Sequence, residues 1–176
     1  MLRNEVKRKH EEAVLNNFVK YLETKTRSVK INDQPDPPDA LVSIDGKSTW
    51  IEITDAFLNR QLAESITSYV SDDKKHKPVP KEHRSVVEPD QTFDGIIDAE
   101  IRKKYQKMRK IYAVNGSGIL LVGVQSPFTT AKTISSTKQV DASKFAGKND
   151  CKIFSEMYFY DTSGSAFYRA KLFNFG

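Results

Sequence analysis

Asp39 and Glu52 are the two side chains whose types and spacing most directly suggest shared chemistry. Between them lie two runs rich in β-formers, 40–45 and 48–54, joined at Asp45-Gly46, a strong two-residue hairpin signal. A tight turn there sets Ile44 opposite Lys47, Val42 opposite Thr49 and Ala40 opposite Ile51. It also sets Leu41 opposite Trp50 and Asp39 opposite Glu52, with opposed Cβ atoms about 4.5–5.5 Å apart. Directly opposed like charges destabilise a sheet, and a divalent cation between them would remove that penalty. Mg²⁺ takes one or two carboxylates and leaves positions for water and phosphate oxygens, the arrangement that phosphodiester hydrolysis uses. Plainer readings stand beside this one. Asp39 follows Pro38 and would then merely end a turn, and Glu52 would pair with a nearby lysine. A longer loop around Gly46 would shift the register and separate the two acids.

The elements that must position this pair are legible from periodicity. Residues 4–23 read as a helix with Val6, Val14, Phe18, Tyr21 and Leu22 on one stripe. A short strand at 28–31 leads into the rigid connector 32–39, which holds Pro35, Pro37 and Pro38. In the hairpin, Ala40, Val42, Ile44, Ile51 and Ile53 form the inward face. Residues 56–70 read as a helix on Phe57, Leu58, Leu62, Ile66 and Tyr69. A long charged segment follows at 71–93, expected to be a mobile loop that contacts phosphates or is disordered. A second helix spans 94–114, ended by Gly116 and Gly118, and 119–124 reads as a buried strand. The segment 129–147 is ambiguous, with a short helix near 142–145, and 152–160 with 165–173 reads as a terminal hairpin. The expected fold class is therefore α/β, a central mixed sheet flanked by helices with a C-terminal β-hairpin.

The helix at 94–114 carries the third chemical feature. Its apolar stripe is Ile97, Ile101, Tyr105, Met108 and Tyr112. Lys104 falls inside that stripe, where a lysine must snorkel or serve a purpose, and Lys107 lies one turn on at its edge. With Lys103, Arg109 and Lys110 the helix is strongly basic, which suits either phosphate binding or an ordinary solvated face.

Pro38-Asp39, the hairpin, and then Glu52-Ile53-Thr54 resemble the PD-(D/E)XK nuclease superfamily, over roughly residues 5–124. The resemblance implies a restriction-endonuclease-like domain over 1–176 that hydrolyses nucleic-acid phosphodiester bonds with Mg²⁺ or Mn²⁺. It implies Asp39 and Glu52 as metal ligands, with Asp36 a weaker candidate. It implies a glutamate of the first helix, Glu11 or Glu12, to complete the site. Glu11 shares a helix face with Leu15, Phe18 and Leu22; a solvated face is the plainer fate of both. The chain departs from the pattern at Thr54, which stands where the family has a catalytic lysine and which brings no positive charge. The run 101–107 resembles the basic helix that supplies a migrated lysine in divergent members, which implies Lys104 or Lys107 in that role. Lys103, Lys104, Lys107 and Lys110 would hold nucleic acid, DNA ahead of RNA. Because Thr54 leaves activity open, a non-catalytic nucleic-acid-binding module is a second reading. A structural or assembly protein that pairs its C-terminal hairpin into a homodimer is a third.

Composition bounds these readings. The chain has 176 residues, 38% hydrophobic and 29% charged, enough for one folded domain with its own core. A single cysteine, Cys151, excludes an intrachain disulfide and a thiolate zinc site, and suits a reducing cytoplasm, where it reads as a small buried hydrophobe. No long apolar run suggests a membrane span, and the charged N-terminus lacks a secretory core. The net charge of +5 mildly favours an anionic partner. His76 and His83 do not show a metal-ligand spacing, and His10 reads as a surface or edge residue. The C-terminal aromatics, Phe154 to Phe175, read as sheet core first, a subunit contact second and base-stacking surfaces third.

Overall fold

The computed structural model describes residues 3–58, 89–161 and 163–173. Helix α1 (Arg3–Thr24) buries Val14, Leu15, Phe18 and Leu22 on one stripe, while Val6 and Tyr21 sit half-buried at its margins. Strand β1 (Val29–Asp33) pairs antiparallel with β2 (Ala40–Ile44). The hairpin of β2 and β3 (Lys47–Phe57) has the expected register, Ala40 with Ile51 through Ile44 with Lys47. Its turn needs two left-handed residues, and Asp45 (φ 52°) and Gly46 (φ 79°) supply them. Asp45 is held there because its carboxylate accepts from Ser28 N at 2.9 Å and Arg27 Nε at 3.0 Å.

Two expectations need correction. β3 continues through Phe57, because Ala56 and Phe57 pair with the next strand, so no helix begins at 56. The rest of that expected helix lies outside the described residues from 59 on. The expected loop at 71–93 ends early: Pro89 to Phe93 already belong to helix α2 (Pro89–Lys107), whose first position tolerates proline. The remainder of that segment, with His76 and His83, also lies outside the described residues. The helix expected over 94–114 is two helices, α2 and α3 (Arg109–Asn115), with fully buried Met108 between them.

Strand β4 (Gly118–Gln125) is buried at every residue. It runs parallel to β3 on one side and to β6 (Phe154–Asp161) on the other, so both its faces are covered and its sequence is apolar throughout. The ambiguous segment resolves into α4 (Ala131–Thr137), capped by Thr130, then β5 (Gln139–Asp141) and a 3-10 turn at Ala142–Lys144. β7 (Phe167–Arg169) forms the expected C-terminal hairpin with β6. That hairpin stops at Arg169, because β8 (Lys171–Phe173) leaves it to pair with β5 in a separate two-stranded sheet.

The main sheet has the order β1-β2-β3-β4-β6-β7, with a parallel centre and antiparallel margins. Alternation along β3 sends Ile51 and Ile53 to the α1 face and Trp50 to the α2 face, where it joins Ile97, Ile101 and Tyr105. The result is a mixed α/β architecture, a six-stranded sheet flanked by helices. Phe154, Tyr158, Phe159, Tyr160 and Phe167 are buried in it, and Cys151 is 2% exposed. No helix among the described residues is long and apolar enough to cross a membrane.

Gly118 shows how tightly α2 is seated. A Cβ there would lie 2.3 Å from the indole of Trp50, whose Nε1 donates to Gly116 O at 2.7 Å. Gly118→Ala is expected to cost about 1–3 kcal/mol by overpacking, read as a lower urea midpoint at an unchanged m-value.

Candidate active site

The site forms where β2 gives out. β2 pairs with β3 only as far as Ala40 with Ile51, and beyond Ile51 no described strand lies on that side of β3. The chain turns away at Pro38, and Asp39 takes over the missing ladder bond: its Oδ2 accepts from Ile53 N at 2.6 Å. Asp39 therefore does end a turn, and it does so at the place where both faces of the sheet can be reached around one strand edge.

Glu52 reaches this edge from the α2 face. It is 1% exposed, on a strand whose neighbours are Ile51 and Ile53. Lys104 Nζ donates to its Oε1 at 2.6 Å, and Lys107 Nζ stands 3.6 Å from the same oxygen. Oε2 is fully buried and has no hydrogen-bond partner among the described residues. Thr54, two residues on, is also buried. A lysine from α2 thus meets the glutamate from across the sheet instead of from position 54. The snorkelling position of Lys104 in the apolar stripe is explained by this contact, since its stem packs with α2 while its ammonium reaches Glu52.

Glu11 comes from the α1 face. Its Oε1 is paired with Lys7 at 3.0 Å, one turn earlier on the helix. Lys7 also stands 3.7 Å from Asp36, which is otherwise exposed. Burial pushes the Asp39 carboxyl up to about 7, reinforced by the negative charges of Glu52 and Glu11 and opposed by the Ile53 N–H and Lys104. Asp39 is therefore the point at which the three acids act on one another. No three metal-ligating side chains are gathered into one group among the described residues. Direct ligation by all of Asp39, Glu52 and Glu11 is thus not displayed. The unpartnered Glu52 Oε2 and the electrostatically strained Asp39 are nonetheless a donor set that suits a hard cation keeping several waters.

The basic helix faces outward beside them. Lys103 pairs with Glu100, Arg109 pairs with Asp150 at 2.8 Å, and Lys110 is exposed. Glu12 is exposed on α1.

Sequence reasoning missed two features. Lys7 and Arg8 line a pocket of about 650 Å³ with Glu11, Asp36 and Asp39. The spacing of Lys7 from Glu11 placed it on the same helix face and was the available signal. The second feature is a buried polar network. Asp55 Oδ1 accepts from Tyr160 Oη at 2.8 Å and Gln125 Nε2 at 3.0 Å, and its Oδ2 lies 2.9 Å from His10 Nε2. Burial would raise the Asp55 carboxyl, but His10, Gln125 and Tyr160 hold it below its ordinary value. The hydrogen bond to Asp55 raises His10 against its own burial. His10 is thus tied to the sheet and is not a loose edge residue.

No protein-family model matches the chain, and comparison with curated proteins and with solved structures finds no match.

Two outcomes test this geometry. Lys104→Met should strand a buried carboxylate and cost about 3–5 kcal/mol, and adding Glu52→Gln should restore part of that loss. A denaturant double-mutant cycle reads the coupling. In metal-free buffer, Asp39 holds its proton in the fold up to about 7 and releases it near 4 when unfolded. The fold binds more protons in that window, so Asp39 makes stability fall as pH rises through it. Asp39→Asn should therefore be more favourable at about pH 8 than at about pH 5 by about 1–3 kcal/mol. The loss that His10 contributes as it deprotonates above its ordinary pKa should remain in that variant.

Proposed function

We propose that the chain is a metal-dependent nuclease of restriction-endonuclease-like fold, in which Lys104 replaces the lysine absent at position 54. The observation that carries this reading is the 2.6 Å contact of Lys104 Nζ with buried Glu52. It sets an ammonium beside the second acid of the Asp39/Glu52 pair, which is what the acid-x-lysine motif achieves within one strand. The mixed sheet with its parallel centre and a helix on each face supports the same reading.

Asp39 and Glu52 would hold Mg²⁺ or Mn²⁺, with Glu11 assisting through water. When bound, such an ion supplies an activated water and charge compensation at the phosphorus. The chain's own residues do the rest. Lys104, and Lys107 behind it, offer positive charge to the phosphate oxygens as negative charge builds up there. Lys103 and Lys110 on the same basic helix hold the flanking backbone. Thr54 contributes shape but no charge.

The same ion pair also favours a second reading. Glu52 Oε1 already has a partner, so the site can persist as a structural bridge in a nucleic-acid-binding module that does not cut. A cleavage assay separates the two, using single-stranded, duplex and branched DNA and RNA with Mg²⁺, Mn²⁺ or EDTA. The nuclease is expected to cut only with metal and to lose about 100-fold or more in Glu52→Gln and Lys104→Met. Cutting that persists in EDTA or in Glu52→Gln overturns it. Binding that falls with salt, without cutting on any substrate, leaves the binding module.

A further inference from the structure

The Asp39 side of the site opens into the pocket between the first half of α1 and the connector before β2. Its floor is apolar, made by Leu15 and Ile53, both buried. Its walls carry Lys7 and Arg8 on one side and Asp36 on the other. Lys7 spans the two walls, with Glu11 at 3.0 Å and Asp36 at 3.7 Å. Arg8 is exposed and has no carboxylate within ion-pair distance among the described residues. Its guanidinium therefore keeps its full capacity for an anion, in the planar fork that suits phosphate.

We propose that this pocket receives one unpaired nucleotide of the substrate, so that the protein acts on single-stranded nucleic acid or strand ends and not on continuous duplex. The inference rests on the nuclease reading for the identity of the substrate. A volume of about 650 Å³ lies within the range of small-molecule sites, and an apolar floor under a few convergent polar groups is how such sites hold a flat ring. A base would lie on Leu15 and Ile53. The phosphate next to it would meet Arg8 and the mouth-spanning Lys7. Asp39 lines the pocket and feels the charges of Glu52 and Lys104, so the next phosphate along the strand would arrive at the candidate metal site. A base stacked and paired in a duplex cannot enter without leaving the stack. Lys103 and Lys110 on the far side would hold the strand beyond.

The test is binding, read apart from cleavage. Fluorescence anisotropy would compare a short labelled single-stranded DNA with a closed hairpin duplex, in Ca²⁺ in place of Mg²⁺. The single strand is expected to bind at least about tenfold tighter. Arg8→Ala should weaken it about tenfold and make the salt dependence shallower by about 0.7 per lost phosphate contact, leaving duplex binding unchanged. Asn4→Trp, at the exposed rim, should block the pocket without touching the acids or the core, and circular dichroism would show that the fold is kept. Equal affinity for duplex, or single-strand binding unaltered by both variants, overturns the proposal even if cleavage proves metal-dependent. Selective single-strand binding that both variants abolish, without cleavage in Mg²⁺, upholds the pocket and removes the nuclease.

Discussion

A carboxylate buried to 1% exposure in the middle of an apolar strand is the constraint around which this structure is arranged. An isolated charge in that position costs several kcal/mol after relaxation, and a neutral acid there would still need a partner. Lys104 meets the need from α2, at 2.6 Å, with Lys107 adding a weaker field from the next turn. That contact fixes how α2 is rotated on the sheet. With Lys104 turned to Glu52, Ile97, Ile101, Tyr105 and Met108 fall against Trp50, Leu120 and Phe154. Pairing of one oxygen leaves the other buried and unpartnered among the described residues. A fold selected only for stability would gain by replacing such a pair with apolar side chains of similar size. Its persistence is the physical reason for reading this place as a working site.

The hairpin register is the second condition. A two-residue turn sets every pair along β2 and β3, and a slip of one residue would send Glu52 to the α1 face. The turn is held by two left-handed residues and by the grip of Asp45 on the chain at Arg27 and Ser28. Because β2 is much the shorter strand, the register also decides where β3 loses its neighbour. Asp39 fills that gap by hydrogen bonding in place of a strand, and so an acid is held at the edge by backbone geometry, with little freedom to relax away from its neighbours. The raised Asp39 is the electrostatic cost of that placement.

The opposite face shows a different use of buried charge. Asp55 is surrounded by His10, Gln125 and Tyr160, with every oxygen contacted, and it sits where Gly123 leaves no side chain. This network is closed and neutral overall when His10 is protonated, and it fastens α1 to β3, β4 and β6. The contrast with Glu52 is instructive. One buried acid is fully satisfied and structural, and the other is left with an open oxygen beside a raised carboxyl. Fastening α1 in this way holds Glu11, Lys7 and Arg8 on a rigid element over the pocket, as a site of defined geometry requires.

The sequence by itself determined the local features: the hairpin and its register, the parallel strand at 118–125, the stripe of each main helix, and the facing of Asp39 and Glu52. Each follows from a period of two or 3.6 residues and from turn chemistry at Asp45-Gly46, which act within a few residues of chain. Lys104 was also legible as an anomaly, since a lysine inside an apolar stripe demands a partner, but the stripe could not name that partner. Only tertiary structure decided it, because Glu52 and Lys104 meet across the sheet through a crossover that periodicity does not orient. The same holds for Asp55 with His10, and for the pocket, which needs α1, the connector and β3 at once. The boundary errors have the same origin. Ala56 and Phe57 carry no strong strand signal of their own and remain extended because β4 lies beside them. Long-range pairing overrode local preference there, as it did where β8 left its hairpin for β5.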